Sequence, residues 1–450
     1  MDDSGRRGHI SAASPMGLAH PIGPDVDLSL EDVAVMIGRA LNCVDARLVD
    51  HGYRVAQMFD AMLETEGSCT QRQRRALYLA ALLHDIGAYR TEDIDRIVEF
   101  ETESVWEHSF YGYLFFKELS PLAEYAEVIL YHHMPNREFT DQGQRIRFLA
   151  QCLCVADRAD VLLLGRPGLS IDEVQQALGS LCPDELAPEI VDLFVRSEQR
   201  LGTLAALREG VGRENPLAIV SDDFEVKKAM SCLDMIVHVI DFRSRHTVTH
   251  TVTTAHVAYE LTRRVMDEDE AGRVYFSALL HDLGKIGVPP SILEKPGRLD
   301  DAEMTIMRTH VVLTERIIAG CVDDGLVRRA VRHHEKLDGS GYPRGLSASE
   351  LTLPERIIAV ADIVSALVGT RSYKEAYPKE KVLAILGEQR DRGLIDASVV
   401  GEVVRSFDDI MDKVARVSEP VSAAYERVQE EYAWLLDALA EKRHNRDTER

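Results

Sequence analysis

The run Leu77-Tyr78-Leu79-Ala80-Ala81-Leu82-Leu83-His84-Asp85-Ile86-Gly87 matches Val274-Tyr275-Phe276-Ser277-Ala278-Leu279-Leu280-His281-Asp282-Leu283-Gly284 position for position. A long-range repeat of this kind requires two segments of the chain to fold alike. Further along, Val155-Ala156-Asp157 matches Val360-Ala361-Asp362. Histidines keep the same order around these anchors: His51, His108, His132 and His133 in the first block, His250, His310, His333 and His334 in the second. Two copies of one domain are the simplest account. In the second copy an apolar run arrives at His281 and Asp282, and Lys285 follows. On a helix, residues four apart share a face, so His281 and Lys285 are expected to point the same way with Asp282 beside them. A neutral imidazole and a carboxylate are metal ligands, and a nearby ammonium attracts an anion.

The chain has 450 residues, too many for one ordinary core. Strand-like alternation is scarce, whereas apolar residues recur at three- and four-residue spacing, so the expected class is all-α: two tandem helical domains and a C-terminal helix. Residues 1–25, rich in Gly, Ser, Pro and Ala, read as a flexible tail. The first domain spans 26–205, with Ser29-Leu30-Glu31-Asp32 as a capped helix start. Residues 206–223, with Gly210, Gly212 and Pro216, read as a linker, and 224–415 form the second domain. Within 416–450 a charged helix follows Pro420, with an apolar stripe at Val428, Tyr432, Leu435 and Leu439. Such a helix either packs back on its own domain or serves a homodimer.

A net charge of -23 argues against binding a nucleic-acid polymer, which needs a basic face. It leaves room for a small anionic substrate in a locally positive pocket. The seven cysteines are odd in number and scattered, and read as reduced thiols. Cys152 and Cys154 sit in the apolar run Phe148–Val155 and are expected in the core. No apolar run reaches the length of a membrane helix and no secretory segment stands at the start, so a cytoplasmic protein without a membrane partner is expected.

The second block's ordered set is His250, His281, Asp282, His310, His333, His334 and Asp362, each within apolar or amphipathic sequence. One buried histidine is usually a hydrogen-bonded core residue. Seven such residues in one order in two blocks are hard to explain as independent core choices. Nitrogen and carboxylate oxygen without thiolate suit iron, manganese or zinc at a site of two ions, with Asp282 bridging. Two such ions activate water and steady the entering and leaving oxygens of an in-line phosphoryl displacement.

The series resembles the HD phosphohydrolase superfamily. The segment His333-His334-Glu335-Lys336-Leu337-Asp338-Gly339-Ser340-Gly341-Tyr342-Pro343 is similar to the motif of its HD-GYP branch, and the resemblance covers roughly residues 226 to 386. It implies a metal-dependent phosphodiesterase on cyclic dinucleotides, cyclic di-GMP or 3'3'-cyclic GMP-AMP, giving the linear dinucleotide or mononucleotides, with iron or manganese as cofactor. By that resemblance His250, His281, Asp282 and Asp362 hold one metal, and Asp282, His310, His333 and His334 the other. Lys285 contacts the scissile phosphate, and Arg371 and Lys374 contact substrate phosphates. Gly339 and Gly341 permit tight turns, and Tyr342 offers a flat face for a base. His246 lies four residues before His250, where relatives with a third metal carry Glu, so two and three ions both stay open.

The first copy supplies the same ligand types in His51, His84, Asp85, His108, His132, His133 and Asp157. Arg166 follows Asp157 at the spacing of Arg371 after Asp362. Ala88 stands in place of the lysine, and the interval from His132 to Asp157 is 25 residues against 29 from His333 to Asp362. The shortfall falls where the Gly-Tyr-Pro loop would be. A first domain that binds metal in a regulatory or structural role, or hydrolyses another phosphate ester, is expected. The alternatives for the whole chain are a cyclic-dinucleotide receptor with little turnover, or a phosphohydrolase led by the first domain.

Overall fold

A computed structural model describes residues 28–43, 49–88, 106–166, 168–212, 223–243, 247–369 and 376–449. All the regular elements among these are helices; the only strand-like pairings among the described residues are two isolated bridges. The chain divides into two units, one of residues 1–43 and 223–426, the other of 44–222 and 427–450. No helix among the described residues is long and apolar enough to cross a membrane.

In the unit of later residues, His250–Thr262 packs between Glu268–Leu280 and Leu353–Val368. Ala255, Ala258, Ala278 and Ala361 line this contact and let the helices approach closely, while Leu261, Tyr275, Ile357, Val360 and Val364 fill the space around them. The helices start where the sequence supplies a cap. Asp267 accepts from the Glu270 amide, Asp300 forms a capping box with Glu303, and Thr352 forms one with Glu355. The helix Leu30–Asn42, early in sequence, belongs to this same unit. Its buried face is Val33, Met36, Ile37 and Ala40. Its Arg39 donates to the carbonyls of Ile317 (3.3 Å) and Ala319 (2.6 Å), oxygens that the end of the helix Asp301–Ile318 leaves without helical partners.

The other unit gathers His51–Glu66, Gln71–Leu82, Trp106–Leu119, Gln144–Gly165 and Pro188–Leu201 around Phe59, Phe115, Phe116 and Phe194. Cys152 and Cys154 are buried there as free thiols. One helix, Ala397–Glu449, closes the chain, its residues to Glu426 counting with the first unit and those after with the second. Pro420, where the sequence predicts a fresh start, lies inside it. Val421 and Ala424, just beyond it, are fully buried, and that packing carries the helix past a residue that removes one backbone donor. Tyr432 stacks on Tyr111 at 3.9 Å and Lys117 pairs with Glu431 at 2.6 Å, so the stripe packs on its own chain at these positions.

Candidate metal centres

The sequence puts His281 and Lys285 on one α-helical face, and the structure differs. The helix Glu268–Leu280 stops before His281, Leu283–Gly287 winds as a 3₁₀ turn, and Lys285 reaches back three residues to donate to Asp282 Oδ2. Thr314 fastens this turn to the next helix. Its hydroxyl donates to the His281 carbonyl at 3.0 Å and accepts from the Gly284 amide at 2.9 Å. Other members of the set come from the start of His250–Thr262, the middle of Asp301–Ile318, the end of Asp324–Val331 and the body of Leu353–Val368.

Their side chains meet around Asp282. One oxygen, Oδ2, stands 3.3 Å from His250 Nε2 and 3.1 Å from His281 Nε2; the other, Oδ1, stands 3.4 Å from His310 Nε2 and 3.9 Å from His333 Nε2. Asp362 sits across from it, with Oδ1 3.3 Å from His250 and Oδ2 3.8 Å from His334 Nδ1. The first copy repeats this pattern. Asp85 Oδ2 is 3.5 Å from His51 and 3.3 Å from His84, and Oδ1 is 3.7 Å from His108 and 3.8 Å from His132. Asp157 lies 3.3 Å from His51 and 3.9 Å from His133.

Both sets fit divalent cations. Most of these separations are too long for good hydrogen bonds. They match donors that share one ion, since two ligand atoms each about 2.1 Å from a metal stand roughly 3–4 Å apart. The histidines are also aimed: Nδ1 of His281, His310 and His333 bonds the carbonyl three residues earlier at 2.6, 2.6 and 2.7 Å, which leaves Nε2 for the centre. His84 and His132 do likewise. Buried His281 Nε2, Asp282 Oδ1, His84 Nε2 and both Asp85 oxygens have no hydrogen-bond partner, a costly state that a cation relieves.

Electrostatics divides the second centre. Burial opposes ionisation of Asp282, but His281 and Lys285 outweigh it and hold the carboxyl well below its usual range. Burial likewise works against His250, yet Asp282 and Asp362 raise it to about 9. Burial pushes His334 down to about 3, and burial with its neighbours His334 and His281 pushes His333 well below its usual value. The rings on that side are therefore neutral, the form that ligates.

The two centres differ in what surrounds the ligands. In the second, His334 and Asp362 keep 26% and 13% of their side-chain surface open; in the first, His133 and Asp157 keep 8% and 4%. Tyr342 stands 4.6 Å from His334, ring to ring, and burial together with Asp282 and Asp362 raises its hydroxyl far above neutrality. Ala88, in the lysine's place, is buried. Arg166 is exposed beyond the end of Gln144–Gly165. His246, Arg371 and Lys374 lie outside the described residues.

Several neighbours escaped the sequence reading. His51 Nδ1 bonds Asp160 at 2.7 Å, and Arg54 grips both Asp160 oxygens at 2.6 and 2.9 Å. At the matching place in the second unit, the Ser365 hydroxyl stands 3.0 Å from His250 Nδ1. Asp160 follows Asp157, and Ser365 follows Asp362, by three residues, a helical spacing that could have exposed both.

Residues 48–162 and residues 234–399 each match a family profile described as an HD domain. The 3'3'-cGAMP-specific phosphodiesterase 1 of Vibrio cholerae serotype O1 is 28% identical over 405 residues, covering 84% of this chain and 92% of that protein. The cyclic di-GMP phosphodiesterase response regulator RpfG of Xanthomonas campestris pv. campestris is 37% identical over 177 residues, 38% of this chain and 47% of that protein's length. A crystal structure of a cyclic GMP-AMP-specific phosphodiesterase of V. cholerae shares the fold, with a TM-score of 0.53 at 21% identity over 85% of this chain and 98% of that one. This chain carries two HD domains and is a homologue of the HD-GYP-type cyclic-dinucleotide phosphodiesterases, within the HD phosphohydrolases.

Proposed function

We propose that the centre around Asp282 hydrolyses a phosphodiester of a cyclic dinucleotide, 3'3'-cyclic GMP-AMP or cyclic di-GMP, to the linear dinucleotide or mononucleotides. The observation that carries this reading is the position of Asp282, whose two oxygens face two separate histidine groups while Lys285 holds its edge. Two divalent ions, iron or manganese by the resemblance to the HD-GYP branch, would supply activation of water and charge stabilisation for an in-line displacement. His250, His281, Asp282 and Asp362 would hold one, and Asp282, His310, His333 and His334 the other. The carbonyl-anchored imidazoles stay aimed without reorganising. Lys285 offers its ammonium to the scissile phosphate, and Tyr342, protonated at neutral pH, gives a flat face and a hydroxyl donor. Arg371 and Lys374 are further phosphate contacts in this reading, and His246 is the position for a third ion.

The names of the relatives supply both nucleotides as candidates. The first centre has the donors but neither the lysine nor the loop, so it takes metal without turning over a cyclic dinucleotide. The test is turnover of both nucleotides with Mn²⁺ or Fe²⁺ by the wild type and Asp282→Ala. Loss of Asp282, which would serve both ions, should cost several orders of magnitude. Equal rates sink the reading. Tight binding without product, under reducing conditions with iron, favours a receptor. Activity lost in His84→Ala and kept in His281→Ala assigns the chemistry to the first domain.

A further inference from the structure

We propose that Arg308 determines substrate selection at the second centre by gripping the phosphodiester that is not cleaved, an inference that rests on the cyclic-dinucleotide reading. Arg308 is exposed on the helix Asp301–Ile318, two residues before His310. Its guanidinium carbon stands 4.9 Å from the centre of the Tyr342 ring, and the same ring lies 4.6 Å from that of His334. A cation–ring contact and a tilted ring–ring contact thus link this cation to the ligand cluster.

The tyrosine is itself fixed. Its amide donates to the His334 carbonyl at 3.2 Å, and a Cβ on the preceding Gly341 would fall 2.4 Å from the Lys336 amide nitrogen. Glu335, 2% exposed, accepts from the amides of Arg344 (2.8 Å) and Leu346 (2.9 Å) and ties down the far side of the loop. Stacking on an aromatic face orients a guanidinium and leaves its in-plane N–H groups available.

Other arginines near the loop are committed to carboxylates. Arg332 pairs with Glu355 at 3.0 Å, Arg344 with Glu315 at 2.5 Å and Arg356 with Asp396 at 2.8 Å. Arg308 has no carboxylate partner among the described residues. In a chain of net charge -23, an oriented arginine without an acid beside it is a site for an anion from outside. The substrate class has two phosphodiesters. Lys285 stands at the cluster for the one attacked, and the planar fork of Arg308 suits the two free oxygens of the other.

The test compares cyclic di-GMP, cyclic GMP-AMP and cyclic di-AMP with bis(p-nitrophenyl) phosphate, which has one phosphodiester, using the wild-type full chain, Arg308→Ala and Arg308→Lys. In Arg308→Ala, KM for every cyclic dinucleotide that the wild type turns over should rise about tenfold or more while kcat moves less than about threefold, the mark of lost binding rather than lost chemistry. The ratio of kcat/KM for cyclic dinucleotide over the small diester should fall in proportion, and Arg308→Lys should restore part of it. An equal fall on the small diester would show that Arg308 only props Tyr342, and overturns the inference while leaving the function intact. Unchanged KM overturns it too, as does a loss limited to guanine-bearing nucleotides, which would mean a base contact. A wild type that turns over no cyclic dinucleotide overturns the function and the inference together.

Discussion

A Cβ on Gly284 would fall 1.9 Å from the carbonyl oxygen of His310, and one on Gly87 would fall equally close to the carbonyl oxygen of His108. In each copy the turn after the His-Asp pair rests directly on the backbone of the helix that brings the next histidine. The absence of a side chain sets the spacing between the aspartate of that pair and the histidine of the next helix.

Gly284→Ala should therefore push the turn and the His310 helix apart. Neither neighbour is a flexible side-chain end, since the next nearest atom is the Thr314 amide at 2.6 Å. Displacement of a reacting constellation by about 1 Å costs roughly 100-fold in rate. We expect that loss in cyclic-dinucleotide turnover together with reduced metal content at the second centre. Gly87→Ala should lower metal content alone. Turnover and metal stoichiometry unchanged in Gly284→Ala would show that the close approach is not needed.

The repeat made the two-domain, all-helical plan legible, because His and Asp are rarely buried without a reason and here they recur in register. The chemistry at the helix end was less legible. Periodicity put Lys285 one α-turn from His281, yet the helix ends at Leu280, and a 3₁₀ turn carries the lysine to Asp282 instead. Helix ends depend on backbone approach, and only Gly284 hinted at it. Arg308 and the anchoring role of Glu335, a residue the motif does include, were invisible for another reason: their partners, Tyr342 and the amides of Arg344 and Leu346, are set by tertiary packing and have no fixed spacing.

Lys285 distinguishes the two centres most sharply, with Ala88 at the matching position. Lys285→Met keeps the stem and removes the ammonium. Loss of one aimed charge at a developing anion costs about 10²–10³-fold in kcat. We expect that decrease with unchanged metal content, as measured by metal analysis and steady-state kinetics on the same preparation. Ala88→Lys should create no cyclic-dinucleotide turnover in a His281→Ala background, because the first copy lacks the loop. A loss of metal along with rate in Lys285→Met would mean that the lysine acts by positioning Asp282.

The first centre should depend on Asp160 in a way the second does not depend on a carboxylate. Asp160 orients His51 through Nδ1 and is held by Arg54, whereas Ser365 stands at the matching place beside His250. Replacing such a partner typically costs 10–100-fold in metal affinity. Asp160→Asn should release the first centre's metal on dialysis against a chelator while the second centre's metal and cyclic-dinucleotide turnover persist. Ser365→Ala, which removes a neutral hydroxyl, should cost less. Equal metal retention in wild type and Asp160→Asn would contradict this assignment.

Glu335 anchors the loop that carries Tyr342. Each of its oxygens accepts one backbone amide, from Arg344 and from Leu346, in a position sealed from water. Glutamine has the same shape but only one acceptor oxygen, so Glu335→Gln turns one N–H of its amide toward another N–H. A buried donor left without an acceptor costs about 1–3 kcal/mol, and that cost falls on the loop because the histidines have their own carbonyl anchors. Hydrogen exchange across residues 338–347 should therefore quicken by about ten- to a hundredfold if the loop opens locally by that free energy. KM for the cyclic dinucleotide should rise as Tyr342 and Arg308 lose their fixed relation, while metal content stays at the wild-type level. Unchanged exchange in that segment would show that the loop is held by its turns alone.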